Sequence, residues 1–317
     1  MLPNFCCELD PADRDCGGVE SLESQHRPDP LLDATMILLN AIVLFAALAC
    51  RAGTIQALPE PDAPALTAAA PAAIGPLALA DAFANEVTLR LSVPADEQLR
   101  YAALLSTALA PENLADPQYV LLVDRNPNVQ AALLFFFDPA ALSDEAFAFR
   151  FIGASPVSTG KPGRVDYFTT PTGVFPHTLA NPDFRAEGTF NENGIRGYGL
   201  KGMRVYDFGW QSAIRGWGRR YFSDIRLQMH ATDPDLLQPR LGSAQSKGCI
   251  RIHASLNTFL DRHAILDADY EGALADGRSL WVLSPDREPV LTPGRYLVIV
   301  DTQRPTRPAW SPLPKAH

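Results

Sequence analysis

The sequence predicts a mainly β domain, a sandwich or barrel-like sheet with one or two short helices, preceded by a short helical segment. Three observations carry this prediction. First, short apolar runs succeed one another from Tyr119 onward: YVLLVD (119–124), VQAALLFFF (129–137), FAFRFIG (147–153), VFPHTL (174–179), MRVYDF (203–208), DIRLQMH (224–230), SLWVLS (279–284) and YLVIVD (296–301). Runs of this length and residue type read as strands. Second, no helical pattern alternates with them, which excludes a doubly wound parallel sheet. Third, Arg125-Asn126-Pro127-Asn128 between the first two runs is a hairpin-like connection of turn residues. The helical exceptions are few. Tyr101, Leu104, Leu105 and Ala108 recur at i, i+3, i+4, i+7 after Pro94, predicting a helix over 95–110. After Ile252, Leu256, Phe259, Leu260 and His263 share one helical face.

Composition sets outer limits. With 317 residues, 47% apolar and 20% charged, the chain is too hydrophobic to be mainly disordered. A formal charge of −9 lacks the footprint of a nucleic-acid binder. Residues 1–50 carry eight acids and two arginines, a net of −6, so the rest of the chain nets only −3. In that front end, Met36–Cys50 is one apolar run of 15 residues. A spanning helix needs about 20 residues, so the run fits a signal-peptide core, or else a buried helix. Ala47-Leu48-Ala49 reads as a small-x-small cleavage site, although no Lys or Arg precedes the run after Asp33 and Arg51 sits on the wrong flank. Met36 is an alternative start, and Cys50 directly after Ala49 suggests lipidation and a membrane tether. The five cysteines are Cys6, Cys7, Cys16, Cys50 and Cys249, so cleavage before Cys50 leaves Cys249 as the one thiol of the folded part. In an oxidising compartment a lone thiol suggests reactivity, against the plain reading of a small buried hydrophobe.

These features divide the chain into an N-terminal extension with signal-like segment (1–49), an Ala/Pro-rich linker (50–80), a helical lead-in (81–117), the β domain (118–285) and a C-terminal strand and tail (286–317). Within the β domain, residues 188–218 hold eight glycines with Phe190, Tyr198, Tyr206, Phe208, Trp210 and Trp217, and Arg215, Arg219 and Arg220 lie at the end. Such a stretch reads as a functional loop or lid suited to carboxylated substrates, or as a hairpin with ordinary packing aromatics.

The segment 230–252, HATDPDLLQPRLGSAQSKGCIRI, concentrates the chemistry. His230 ends an alternating strand. Cys249 follows 19 residues later, after the small-residue turn Ser246-Lys247-Gly248. A cysteine nucleophile needs a base within hydrogen-bond reach and backbone donors for an oxyanion, and a Gly-Cys turn can supply the donors. His253, four residues beyond Cys249, reads as a helix-start residue or a neighbour of the site. His263 reads as a core histidine, and His177 and His26 carry no supporting motif. The spacing of His230, Cys249 and His253 matches no common zinc pattern, so no metal is expected.

Three ordered segments give a resemblance. Pro156–Lys161 with Thr170–Phe175, then Met229-His230-Ala231, then Ser246–Ile252 together resemble the L,D-transpeptidase catalytic domain (YkuD type) of bacterial cell-wall enzymes, over roughly residues 118–285. The resemblance implies an L,D-transpeptidase-like fold, with Cys249 as nucleophile and His230 as general base and acid. Gly248 and Cys249 would donate N–H groups to the oxyanion, within the Ser246–Arg251 motif. Arg251 would order the motif or meet a substrate carboxylate. It further implies peptidoglycan tetrapeptide stems as donor and acceptor, inhibition by carbapenems, no cofactor, and a place in the periplasm or cell envelope. The rival readings are an L,D-carboxypeptidase or hydrolase, and a non-catalytic wall-binding module. Two positions depart from the family pattern. Lys247 stands where the family has His; it either favours the thiolate electrostatically or points to solvent. Ala231 offers no hydroxyl to orient His230, so a backbone carbonyl or another group must do so.

Overall fold

The computed structural model describes residues 74–141 and 148–313. The apolar run Met36–Cys50, the cleavage site and the lipidation candidate Cys50 lie outside the described residues. Among those described, no helix is long and apolar enough to cross a membrane.

Two helices lead in. α1 (Pro76–Glu86) starts with proline in its first turn, where the missing N–H costs nothing, and buries Leu79 and Phe83. It begins inside the segment read as linker 50–80. α2 (Ala95–Leu109) matches the expected helix and buries Tyr101, Ala102, Leu105 and Leu109. The strands follow: β1 (Gln118–Asp124), β2 (Ala131–Phe137), β3 (Phe149–Ser158), β4 (Phe168–Thr169), β5 (Gly173–Pro176), β6 (Phe184–Arg185), β7 (Arg204–Arg215), β8 (Phe222–Ala231) and β9 (Ile250–Ile252). α3 (Ala254–Arg262), α4 (Ala268–Ala275) and β10 (Tyr296–Val300) complete the chain. The protein is thus mainly sheet with a few short helices.

Nine strands run in the order β4-β7-β8-β9-β3-β2-β1-β10-β5, with β6 attached to β7. The sheet is mixed. β1 and β10 are parallel, as are β8 and β9, and the other pairs are antiparallel. β3 joins the two halves of a curled half-barrel: Phe149–Pro156 pair with β2, and Val157 and Ser158 pair with β9. Curling turns both halves toward one core. Tyr119, Leu121, Leu134 and Phe136 of the first half share it with Leu227, Met229, Ile250 and Ile252 of the second. The opposite face of β1 and β2 packs Val120, Leu122, Leu133 and Phe135 against Tyr101 and Leu105 of α2. Coverage on both faces explains why β1 and β2 read as unbroken apolar runs rather than alternating ones.

Two details adjust the sequence reading. SLWVLS (279–284) is not a strand: the segment turns, Trp281 is exposed, and the Val282 carbonyl accepts from Arg185 Nε at 2.7 Å instead of a ladder neighbour. β10, read as part of a C-terminal segment, lies inside the sheet between β1 and β5. One glycine fixes the seat of α1. A Cβ at Gly153 of β3 would lie 2.3 Å from the Phe83 ring, so only glycine lets the helix approach this closely.

Candidate active site

β8 and β9 place the histidine and the cysteine. Along β8 the side chains alternate. Leu227 and Met229 enter the core, which leaves Arg226, Gln228 and His230 on the other face. β9 lies parallel to β8 with His230 opposite Arg251. Cys249 stands two residues before Arg251, so the same alternation brings its side chain to the face of His230. The thiol reaches back to β8, where Sγ donates to the Arg226 carbonyl at 3.6 Å. Cys249 forms no disulfide and is fully buried, as is His230.

The imidazole is oriented by backbone. His230 Nδ1 donates to the Ala231 carbonyl at 2.6 Å, and because a carbonyl only accepts, this sets the tautomer with the proton on Nδ1. Nε2 then presents a lone pair, and it has no hydrogen-bond partner among the described residues. Burial holds the imidazole neutral, pushing its pKa down to about 3; the Ala231 carbonyl opposes this and the Arg251 charge adds to it. Tyr198 covers the ring edge-on at 4.8 Å and donates its hydroxyl to Gln228 Oε1 at 2.9 Å. Next to it Gly199, at φ +88, packs so closely that a Cβ would sit 3.0 Å from that of Ala231. The glycine-rich stretch therefore divides. Residues around 196–199 cover the end of β8, whereas 204–215 form β7, with a register shift between Asp207 and Trp210 that absorbs Gly209 at φ +77.

The cysteine turn is held by the two segments that accompany it in the sequence pattern and by Phe168, just before the second. The Ser246 N–H donates to the Thr159 carbonyl at 3.0 Å, and the Lys161 N–H donates to the Ser246 carbonyl at 2.9 Å. The Phe168 N–H donates to the Lys247 carbonyl at 3.0 Å. Thr170 Oγ1 donates to the Gly248 carbonyl at 2.7 Å and accepts from the Gly160 N–H at 2.8 Å. Gly248 has φ +140, a conformation other residues rarely adopt. Ser246 Oγ closes the turn by donating to the Cys249 carbonyl and accepting from the Gly248 N–H at 3.1 Å. That last bond engages the Gly248 N–H in the unliganded protein, so this N–H meets an oxyanion by exchanging Ser246 Oγ for it.

Two cavities flank this turn. Arg251, 3% exposed, lines one of about 250 Å³ with Lys161, Arg164, Tyr167, Arg240 and Gln245. Lys247 is half-buried, with Nζ 5.9 Å from the Tyr167 ring centre. It lines the second, of about 310 Å³, with Phe168, Trp210, Arg215, Trp217 and Arg226. Cys249 and His230, both fully buried, line neither of these two cavities. His253 is the N-cap of α3, accepting from the Ser255 N–H at 3.1 Å. His263 is buried beside Glu86, with Nε2 3.2 Å from its carboxylate. The sequence reading passed over Tyr198 as a cover, and over Arg164 and Arg240. Lys161 ends the first matching segment and Arg240 lies in the crossover from His230 to Cys249; both are visible as charges, but nothing in a linear pattern shows them converging.

The neutral imidazole has a measurable consequence. His230 stays unprotonated in the folded state down to about pH 3, whereas the unfolded chain takes up a proton near 6.5. Stability attributable to this group is therefore constant above pH 6.5 and falls as pH drops toward 3. Urea unfolding at pH 7 and pH 4.5 should show a loss of about 2.5 kcal/mol in the wild type that His230→Gln lacks. Parallel profiles for the two proteins would overturn this.

Compared with known proteins, the chain matches no family model and no curated sequence.

Proposed function

We propose that the protein is a cysteine-dependent acyltransferase acting on peptidoglycan stem peptides, an L,D-transpeptidase. The observation that supports this most is the pairing across β8 and β9: a thiol and a neutral imidazole share one face, and the imidazole offers an unpartnered Nε2. Nε2 is the atom that takes the Cys249 proton. The thiolate attacks the carbonyl of the amide between diaminopimelate and the terminal D-Ala. The S–C bond forms, the C–N bond breaks, and the D-Ala amine leaves with the proton from His230. The side-chain amine of a second stem then attacks the thioester, His230 accepts its proton, and the thiol is released with a 3–3 cross-link formed. Nothing in these steps calls for a metal or cofactor. A thiolate beside His230 favours the imidazolium electrostatically, so the buried pair exchanges its proton without needing a free imidazole of ordinary pKa.

The place of action under this reading is the cell envelope, reached through the N-terminal segment 1–49. The test is incubation of the purified protein with disaccharide-tetrapeptide and weighing of the products. A dimer lacking one D-Ala supports transpeptidation. Tripeptide with free D-Ala and no dimer would make the protein an L,D-carboxypeptidase. No D-Ala release at all would leave a wall-binding module and overturn the proposal.

A further inference from the structure

The smaller cavity differs in charge from the acidic chain that contains it. Lys161, Arg164, Arg240 and Arg251 line it together with Tyr167, Gln245 and Leu237, and no lining residue is acidic. Among the described residues no carboxylate lies within 4 Å of the Lys161 or Arg240 charge. Arg240 Nε is buried and lacks a hydrogen-bond partner. Lys161 and Arg240, which have no carboxylate within 4 Å among the described residues, favour an anion entering the cavity of about 250 Å³ that they line. Guanidinium groups suit carboxylates through paired N–H donors.

Position adds to charge. Leu237, Arg240 and Gln245 belong to the crossover that connects His230 to Cys249. The Arg240 carbonyl is fixed by Ser243 Oγ at 2.8 Å, so the side chain springs from an anchored turn. Lys161 belongs to the segment whose backbone holds Ser246. Arg251 follows Cys249 by two residues. The cavity is therefore lined by the crossover, by the segment that holds Ser246 and by the residue two positions after Cys249.

We infer that this cavity is a subsite for a peptide bearing two or more carboxylates, which docks the acidic part of the substrate beside Cys249. The inference deepens the acyl-transfer reading and rests on it for the substrate class. Binding is tested without turnover in the full-length Cys249→Ala protein by calorimetric titration. The ligands are free L-Ala-γ-D-Glu-diaminopimelyl-D-Ala, the same peptide with its carboxylates amidated, and inorganic pyrophosphate. The acidic peptide should bind at least tenfold more tightly than the amidated one. Arg240→Gln, and separately the exposed pair Lys161→Gln with Arg164→Gln, should each weaken the acidic peptide about tenfold and leave the amidated one unchanged. Equal binding of the two peptides, or unchanged affinity in both variants, overturns the subsite. Tight pyrophosphate binding that the acidic peptide fails to displace also overturns it and assigns the cavity to a phosphoryl group. Peptide binding as described, without D-Ala release by the wild type, would retain the subsite and reject the enzyme. D-Ala release with KM unchanged in the variants would do the reverse.

Discussion

Cys249→Ala should abolish D-Ala release from tetrapeptide stems while the domain stays folded. Under the proposed mechanism the sulfur forms the covalent bond on which both half-reactions depend, so its loss removes the pathway rather than slowing one step. Loss of a nucleophile typically costs three to six orders of magnitude in rate. The structural cost is small by comparison. Cys249 is buried, but removing one sulfur atom leaves a void of atomic size, and the contact given up to the Arg226 carbonyl, at 3.6 Å, is weak. A destabilisation of about 1–2 kcal/mol is expected. A carbapenem should add its full mass to the wild type at Cys249, through opening of the lactam by the thiolate, and should add nothing to the alanine variant. Because the thiol is fully buried, labelling depends on movement of the groups packed around it. Turnover in Cys249→Ala comparable to wild type would sink the mechanism. Unfolding of the variant would be recognised by its thermal melt, and Cys249→Ser, which keeps the side-chain size, then takes its place.

The sequence revealed what repeats locally and hid what depends on partners. β1 and β2 were legible because a strand covered on both faces is an unbroken apolar run, and β8 because Ile225, Leu227 and Met229 alternate with polar side chains. α2 was legible from its 3.6-residue period. α1 was not, because its two buried anchors, Leu79 and Phe83, stand among alanines and a proline that read as linker. SLWVLS looks like a strand, but its Val282 carbonyl is satisfied by Arg185, a side chain almost a hundred positions away. The candidate site shows the same division. Cys249 and His230 stand out as residue types in a motif. The engagement of the Gly248 N–H by Ser246 Oγ, the Tyr198 cover and the convergence of four cations are tertiary facts with no periodicity. The most thoroughly hidden is the network around His177, a residue that carried no motif.

Replacing Arg204 by Met should destabilise the protein by about 3–5 kcal/mol, the cost of stranding buried carboxylates. Arg204 sits at the start of β7 with its side chain fully buried. Nε donates to Asp183 Oδ2 at 2.7 Å, while Nη1 and Nη2 grip the two oxygens of Asp267 at 2.7 and 2.8 Å. The other side of Asp183 faces His177, whose Nε2 lies 2.8 Å from Oδ1 and whose Nδ1 lies 2.8 Å from the Leu266 carbonyl. Both ring nitrogens thus meet acceptors, which calls for a proton on each. Burial opposes that charge, but Asp183 outweighs it and Asp267 helps, so the imidazole's pKa is raised. With Arg185 on Asp261, three cations then balance Asp183, Asp261 and Asp267. Arg204→Lys should rescue little, since one ammonium cannot reproduce the fork on Asp267. The network also governs pH dependence at the basic end. Stability contributed by His177 is fully present below about pH 6.5 and is lost as pH rises through its higher folded value. Val205, the next residue of β7, pairs with His230, so the network secures the strand against which the candidate base is held. Urea unfolding of wild type, Arg204→Met and His177→Asn across pH 6–9 tests both claims. The expected result is a large loss at every pH for Arg204→Met, and a wild-type decline above pH 6.5 that His177→Asn lacks. A loss below 1 kcal/mol in Arg204→Met, or an identical pH decline in His177→Asn, would show that these buried charges do not stabilise the fold in this way.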